Sequence, residues 1–199
     1  MKEIKTQIIK VANDWKDVKN VSRTTVGKKH TAKEPSEDFK LNMLISQHSP
    51  IRLIKVRWLW EGIKSFVSTH YSRHKFECFI STGREDRTGI PGTELNRNSP
   101  TNFDGEANAQ NIIDFSKLRL CFEADKATRI QCEDLKRTLK DLEPELSYVM
   151  VPSCVYRCAC PEVFSTCSFW KNLSEKMTRE ELLDIKERYR LYNKEFYKA

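Results

Sequence analysis

The residues of this chain best suited to chemistry are its cations, and many are crowded into one stretch. Residues 48–87, HSPIRLIKVRWLWEGIKSFVSTHYSRHKFECFISTGREDR, hold eight Lys or Arg against four Asp or Glu, and three of the four histidines. Arg73, His74 and Lys75 are consecutive, so at a helix end or tight turn their side chains fan apart around an anion; Arg84 and Arg87 follow after a short strand-like run. Arginine offers a planar fork that fits phosphate or carboxylate through two bonds, and lysine a point charge. The chemistry is that of an anion site, and a nucleotide would use both kinds of cation. The same residues admit a plainer reading, a solvated face on which Glu77, Glu85 and Asp86 pair with the arginines.

Cations need elements to hold them. Between Ile51 and Trp60 the residues Ile54, Val56, Trp58 and Trp60 share one face, with Arg52, Lys55 and Arg57 between or beside them, which predicts a half-buried strand. Residues 64–71 read as a short helix delivering Arg73 and His74, and residues 76–82 return as a strand. Residues 88–105, rich in Gly, Pro, Asn and Thr and without periodicity, predict a long loop serving as a lid or subunit contact. Residues 106–123 then carry the clearest helical stripe, Ala109, Ile112, Ile113, Ser116 and Leu120. On that helix Asn108 and Arg119, eleven residues apart, point almost the same way. Arg119 either reaches a ligand or pairs with Glu123 at i+4.

The flanks look structural. Residues 3–12 have strand character; Asn13 or Asp14 caps a helix with Trp15, Val18 and Val21 inward, residues 28–35 form a loop, and Ser36 caps a helix burying Phe39, Met43 and Leu44. Residues 126–142 predict a helix with Ile130, Leu135, Leu139 and Leu142 apolar, and Pro144 starts a short one through Tyr148. The segment 151–170 is Cys-rich: Cys154, Cys158, Cys160 and Cys167 could hold a tetrahedral zinc, but the paired C-x2-C knuckles are missing and no metal is expected. A C-terminal helix over 178–198 opens on a capping box, Thr178 with Glu181, and docks through Leu182, Ile185 and Tyr189.

Composition sets the bounds. A chain of 199 residues, 39% hydrophobic and 32% charged, predicts a single domain able to bury about 70% of its unfolded surface. The net charge of +7 favours anionic partners without choosing among them. No apolar run approaches the ~20 residues of a membrane span, and MKEIKTQIIK places charges where the apolar core of a secretory signal would begin. Those features exclude a membrane protein and predict a cytoplasmic one, with the seven cysteines as thiols.

The order of the motifs resembles the flavin-dependent thymidylate synthases, the ThyX family. His48 stands for the family's loop histidine, Arg73, His74 and Lys75 for its Arg-His-Arg, Thr82, Gly83 and Arg84 for its Ser-x-Arg, and Asn108, Gln110, Asp114 and Arg119 for its Asn-x-Arg, Asn and Arg. The chain departs from the pattern at Arg52, Lys75, Cys78, Gln110 and Asp114, where the family has Glu, Arg, Ser, Arg and Asn, and the Ser-x-Arg half fits with one residue deleted.

The resemblance implies an α+β fold with a mixed or antiparallel sheet and flanking helices, a homotetramer, and FAD bound between subunits. Its activity is methylation of dUMP to dTMP with methylenetetrahydrofolate and NADPH as co-substrates, in a bacterium or a phage-infected host. It implies that His48, Arg73, His74, Lys75, Asn108, Gln110 and Asp114 hold the cofactor. His70, Arg73, Ser81, Thr82, Gly83, Arg84 and Arg119 would contact substrate, Arg119 promoting ionisation at the pyrimidine N3 as the catalytic group. Gln110, Asp114 and Cys78 leave open a different flavin-dependent modification of a pyrimidine nucleotide, such as hydroxymethylation. Charge alone leaves open a non-catalytic basic module for nucleotide or nucleic acid, and a Cys–His hydrolase built on Cys78 and His74 lacks an orienting third group.

Overall fold

The structure, a computed structural model, describes residues 4–164 and 167–198. In chain order it contains β1 (Gln7–Ala12), α1 (Trp15–Thr25), α2 (Glu37–Ile45), a 3-10 turn (Ser49–Leu53), β2 (Lys55–Lys64), α3 (Ser65–Ser72) and β3 (Glu77–Ile80). Then come α4 (Glu85–Thr88), a 3-10 turn (Gly92–Glu94), β4 (Pro100–Asn108), α5 (Ala109–Arg119), α6 (Lys126–Leu139), α7 (Pro144–Val149), α8 (Ser153–Arg157), α9 (Phe169–Ser174), α10 (Arg179–Leu183) and α11 (Ile185–Phe196). These form two compact units, Met1–Ser36 with Gln47–Asn111, and Glu37–Ser46 with Ile112–Ala199. The expected α+β class is what the chain forms. Among the described residues no helix is long and apolar enough to cross a membrane.

The first unit holds an antiparallel sheet in the order β1-β2-β4-β3. The alternation in β2 has the predicted effect: Ile54 just before it, and Val56, Trp58 and Trp60 within it, are fully buried. Trp58 and Trp60 meet edge to face at 5.5 Å, and Trp60 packs on Tyr71 of α3 at 4.8 Å. The Trp60 indole N–H donates to Thr6 Oγ1 at 2.7 Å, which removes the polar cost of burying the ring. Asp14 caps α1 by accepting from the Asp17 N–H; Trp15 and Val18 are buried, whereas Val21 is 39% exposed, so the inward face is narrower than its spacing predicts.

The stretch 88–105 is not a continuous loop. Its last six residues belong to β4, which pairs with both β2 and β3 and runs on to Asn108, so the helix expected from residue 106 begins at Ala109. Phe103, Gly105 and Ala107 alternate inward. Gly105 is needed there because a Cβ would stand 2.7 Å from Trp58 Cζ2 and 2.9 Å from Phe103 Cε1. The glycine that makes the segment look loop-like is the one that lets a tryptophan lie over the strand.

The second unit is helical, with α2 packed on α7 and α11 on α7, α8 and α10. In α6 the buried row is Thr128, Cys132, Leu135 and Leu139; Ile130 falls between its turns, and Leu142 lies past the helix end, leaving both exposed. Lys136 is also fully buried. The predicted C-terminal helix is two helices: the capping box at Thr178 and Glu181 forms, but Asp184 is extended and its carboxylate accepts from the Lys186 N–H at 2.8 Å, starting α11 afresh. Tyr189 docks as expected; Leu182 and Ile185 are half-buried, and Arg188, Tyr192 and Asn193 share the load. Ser165 and Thr166 of the Cys-rich segment lie outside the described residues.

Candidate functional site

In the first unit α3 ends against the aromatic core and releases the chain into a corner. Arg73 is the C-cap, the His74 N–H donates to the Tyr71 carbonyl at 3.0 Å, and the Phe76 N–H donates to the His74 carbonyl at 3.0 Å. The His74 ring is half-buried, 6.3 Å from Tyr71 and parallel to Phe76 at 6.4 Å. Arg73 and Lys75 on either side of it are exposed. The three consecutive residues fan apart, but the His74 ring turns to the core, leaving only the two cations facing solvent.

Two polar contacts bring the other predicted segments to this corner. The Asn111 side-chain amide donates to the Lys75 carbonyl, while its own N–H donates to Asn108 Oδ1 at 3.0 Å. Asn108 is the last residue of β4 and acts as a cap, so the shared helical face expected for Asn108 and Arg119 does not exist. Gln110 Nε2 donates to Gln47 Oε1 at 2.8 Å, and Gln47, at φ 52°, immediately precedes the exposed His48. The Ala109 N–H donates to the Ile54 carbonyl at 2.9 Å, closing the 3-10 turn that follows His48 onto the start of α5. The His48 loop, the Arg73–Lys75 corner and Asn108–Asn111 thus form one hydrogen-bonded junction.

The Ser81–Arg84 loop forms a second feature of this unit. The Ser81 N–H donates to the Asn102 carbonyl and the Asn102 N–H to Ser81 Oγ, both at 3.1 Å, pinning the loop to β4. Ser81, Thr82 and Gly83 line a hollow of about 410 Å³ with Asn96, Ser99 and Asn102. This lining mixes amides and hydroxyls with the apolar side chains of Ile80, Ile90, Leu95 and Pro100. The Arg84 guanidinium is exposed and forks onto Asp86 at 2.9 and 2.6 Å. His70, half-buried on α3, lies edge-on to Phe66 at 5.6 Å, and Phe66 carries the Arg97 guanidinium at 5.0 Å and the Lys64 ammonium at 5.8 Å. The Phe66 N–H donates to the Arg97 carbonyl and the Ser65 N–H to the Ser99 carbonyl, which binds this cationic patch to the segment leading into the hollow.

Sequence reasoning missed Asn111, Gln47, Asn102 and Arg97. Gln47 was within reach as the neighbour of His48; Arg97 sits in a segment with no period to reveal it. Asp114 and Arg119 belong to the second unit: Asp114 is exposed and accepts from Lys117 Nζ at 3.1 Å, and Arg119 ends α5 half-buried. Burial first, and then Glu77, pushes the Cys78 thiol above its ordinary range, which does not favour a nucleophile there.

No protein-family model and no curated protein matches this sequence. The fold does have relatives of known structure. The flavin-dependent thymidylate synthase ThyX from Helicobacter pylori, complexed with FAD and dUMP, matches 74% of this chain and 99% of its own with a TM-score of 0.62 at 11% identity. A second structure of the Helicobacter pylori enzyme with FAD and dUMP matches 74% of this chain and 97% of its own, with a TM-score of 0.61 at 12% identity. At such identity the likeness is one of fold: this chain has a ThyX-like α+β architecture.

Proposed function

We propose that this chain is an enzyme that binds FAD and a pyrimidine nucleotide and acts as a flavin-dependent thymidylate synthase. It methylates dUMP with methylenetetrahydrofolate as carbon donor and NADPH as reductant. One observation carries most weight: the three segments that the motif order singled out for a dinucleotide are hydrogen-bonded into one junction, through Gln47 with Gln110 and Lys75 with Asn111. The likeness of fold to proteins crystallised with FAD and dUMP supports the same reading.

The residues present fit the cofactor in charge. Arg73 and Lys75 are exposed and engage no carboxylate among the described residues, so a diphosphate has no acid to displace. The redox chemistry is what FAD supplies when bound. In this reading Arg73 and Lys75 neutralise the diphosphate, His74, backed by Phe76, offers a fixed ring, and His48, Asn108 and Gln110 complete the cofactor set. Asn108 acts by capping the Asn111 N–H and Gln110 by holding the Gln47 side chain, since both side chains are already engaged in this way. Ser81, Thr82 and Gly83 present hydroxyls and backbone to a phosphate in the hollow they line, and Arg84 adds a fork once released from Asp86. His70 keeps the substrate role that the resemblance gives it. The chain works as one domain in a homotetramer, in the cytoplasm of a bacterium or phage-infected cell.

The test begins with colour. Purified protein supplied with FAD is expected to show flavin absorbance near ~450 nm that bleaches with NADPH, and to convert dUMP and methylenetetrahydrofolate to dTMP. Protein that stays colourless removes the whole reading. Gln110 favours a second product: where the family has a cation, this chain has an amide committed to Gln47. A hydroxymethylated pyrimidine nucleotide, distinguished from dTMP by mass, would keep the flavin and replace the reaction.

A further inference from the structure

The helical unit closes around a hollow that takes no part in the junction of the first unit. On α6, Glu133 and Arg137 are four residues apart and share a face; on α11, Tyr192, Glu195 and Phe196 do the same at i, i+3 and i+4. Phe122, just past α5, and Phe169, the first residue of α9, complete a hollow of about 270 Å³. Its four rings form a continuous chain. Phe122 stacks on Phe169 at 4.4 Å and 14°, Phe169 meets Tyr192 edge-on at 6.1 Å and 85°, and Tyr192 leans on Phe196 at 5.8 Å and 28°. Phe122 is 45% exposed, so the aromatic wall is open to solvent there.

The polar groups of the lining differ in whether they are already committed. Glu133 is paired with Arg129 at 3.2 Å, and Glu195 with Lys176 at 3.0 Å and Lys198 at 3.3 Å. Arg137 is exposed, holds its guanidinium over Phe196 at 4.2 Å, and pairs with no carboxylate among the described residues. Tyr192 is 3% exposed, yet among the described residues its hydroxyl neither donates nor accepts a hydrogen bond. A tyrosine hydroxyl buried this deeply normally has a partner, because water has been removed and something must replace it. The polar atoms sealed away without one include Gln131 Oε1 but not the Tyr192 oxygen, whose residue borders the hollow. Burial first, then Cys132 and Glu133, holds the Tyr192 pKa well above its ordinary range, so near neutral pH the group keeps its proton and can donate it to a hydrogen bond.

We propose that this hollow binds a small aromatic carboxylate. The four rings take its apolar body, the Tyr192 hydroxyl bonds a polar substituent of that body inside the hollow, and the Arg137 fork takes the carboxylate at the mouth. Charge decides between an anion and a cation. The uncommitted groups, Tyr192 and Arg137, are both donors, whereas the two acids are already neutralised by three cations. Aromatic walls also attract organic cations, but two of these rings already carry the chain's own, Arg129 over Phe122 at 4.3 Å and Arg137 over Phe196. The site lies wholly within the helical unit and does not rest on flavin or nucleotide binding.

The experiment is calorimetric titration of the full chain with 4-hydroxybenzoate, benzoate and benzylamine, repeated on Tyr192→Phe and Arg137→Gln. The hydroxybenzoate is expected to bind saturably with a Kd below about 1 mM, within reach of a ligand of about ten heavy atoms, and benzylamine, opposite in charge, more weakly than benzoate. Tyr192→Phe should weaken 4-hydroxybenzoate about fivefold, the effect of one neutral hydrogen bond, and leave benzoate, which lacks the second hydroxyl, unchanged. Arg137→Gln should weaken both acids about tenfold. The Tm of Tyr192→Phe should equal or exceed that of wild type, since the hydroxyl has no partner to lose; a lower Tm would give it a role in the fold and overturn its role in binding. The absence of saturable heat from the hydroxybenzoate overturns the site. So does tighter binding of benzylamine than of benzoate, or hydroxybenzoate affinity left unchanged by either substitution. Arg137 is exposed, so Arg137→Gln and the charge series decide the matter even where Tyr192→Phe fails to fold.

Discussion

The Lys75 carbonyl accepts a hydrogen bond from the side-chain amide of Asn111, thirty-six residues later in the chain. That bond fixes the corner holding Arg73 and Lys75 to the start of α5, and it makes the spacing of the two segments a structural quantity. Removing it leaves both cations in place but loosens their geometry. Asn111→Ala should therefore weaken FAD binding about fivefold, close to the ~1 kcal/mol expected of one such bond. Arg73→Ala should cost more, because a charged contact is lost. Flavin titrations on the two variants check the order; an Asn111→Ala protein that binds FAD as tightly as wild type detaches the corner from the cofactor.

Arg84 and Asp86 form an exposed pair, each more than half accessible, so their attraction is screened and contributes little to folding. Its consequence is functional, since the fork that would meet a phosphate is held by a carboxylate. Arg84→Ala should weaken dUMP binding at least about tenfold while leaving FAD bound. Asp86→Asn should do the opposite, tightening dUMP by about two- to fivefold with no change in Tm. Calorimetric titration of both variants decides it: dUMP affinity unchanged by either substitution removes Arg84 from the substrate site.

The strand–helix–strand that carries the cations was legible because its signals are local. Alternation at Ile54, Val56, Trp58 and Trp60 survives any tertiary context that buries one face, and the Thr178–Glu181 capping box needs only its own turn. What was hidden depends on distant partners. Asn108 reads as a helix residue until β2 and β3 pair with the segment before it, and β4 reads as a loop because of Pro100, Asn102 and Gly105. The Arg73–Lys75 corner stands out through residue types, whereas Gln47 and Asn111, which tie it to the His48 loop and the start of α5, are ordinary amides whose value lies in where they sit.

Gly105 offers a direct test of the sheet. A methyl at this position would stand 2.7 Å from one tryptophan atom and 2.9 Å from one phenylalanine atom, both in buried rings that have little room to withdraw. Gly105→Ala should destabilise the protein by about 1–3 kcal/mol, the usual range for overpacking a core. Tryptophan fluorescence followed through a denaturant titration reads it. A midpoint equal to wild type would show that Trp58 repacks freely, contrary to its place between Trp60, Phe76 and Phe103.

Lys136 has no carboxylate partner among the described residues where it is buried. Its ammonium donates to the Ser147 carbonyl at 2.6 Å and to Asn193 Oδ1 at 2.7 Å, and lies 5.1–5.5 Å from the ring centres of Tyr192, Phe196 and Tyr197. Desolvation lowers its pKa from 10.5 to about 7, with Arg137 also lowering it and Cys132 opposing. Below about pH 7 the lysine is charged in both folded and unfolded chains, and the burial cost is present in full. Between about 7 and 10.5 the unfolded chain binds more protons at this position than the folded one, so stability rises with pH, by at most about 1.4 kcal/mol per unit. Lys136→Met removes that dependence, although it also strands the Ser147 and Asn193 oxygens, so the slope and not the absolute stability is the readout. Chemical denaturation at several pH values should give a rising stability for wild type and a flatter one for the variant; equal slopes would mean that the lysine keeps its proton in the fold, stabilised by the two oxygens and three rings around it.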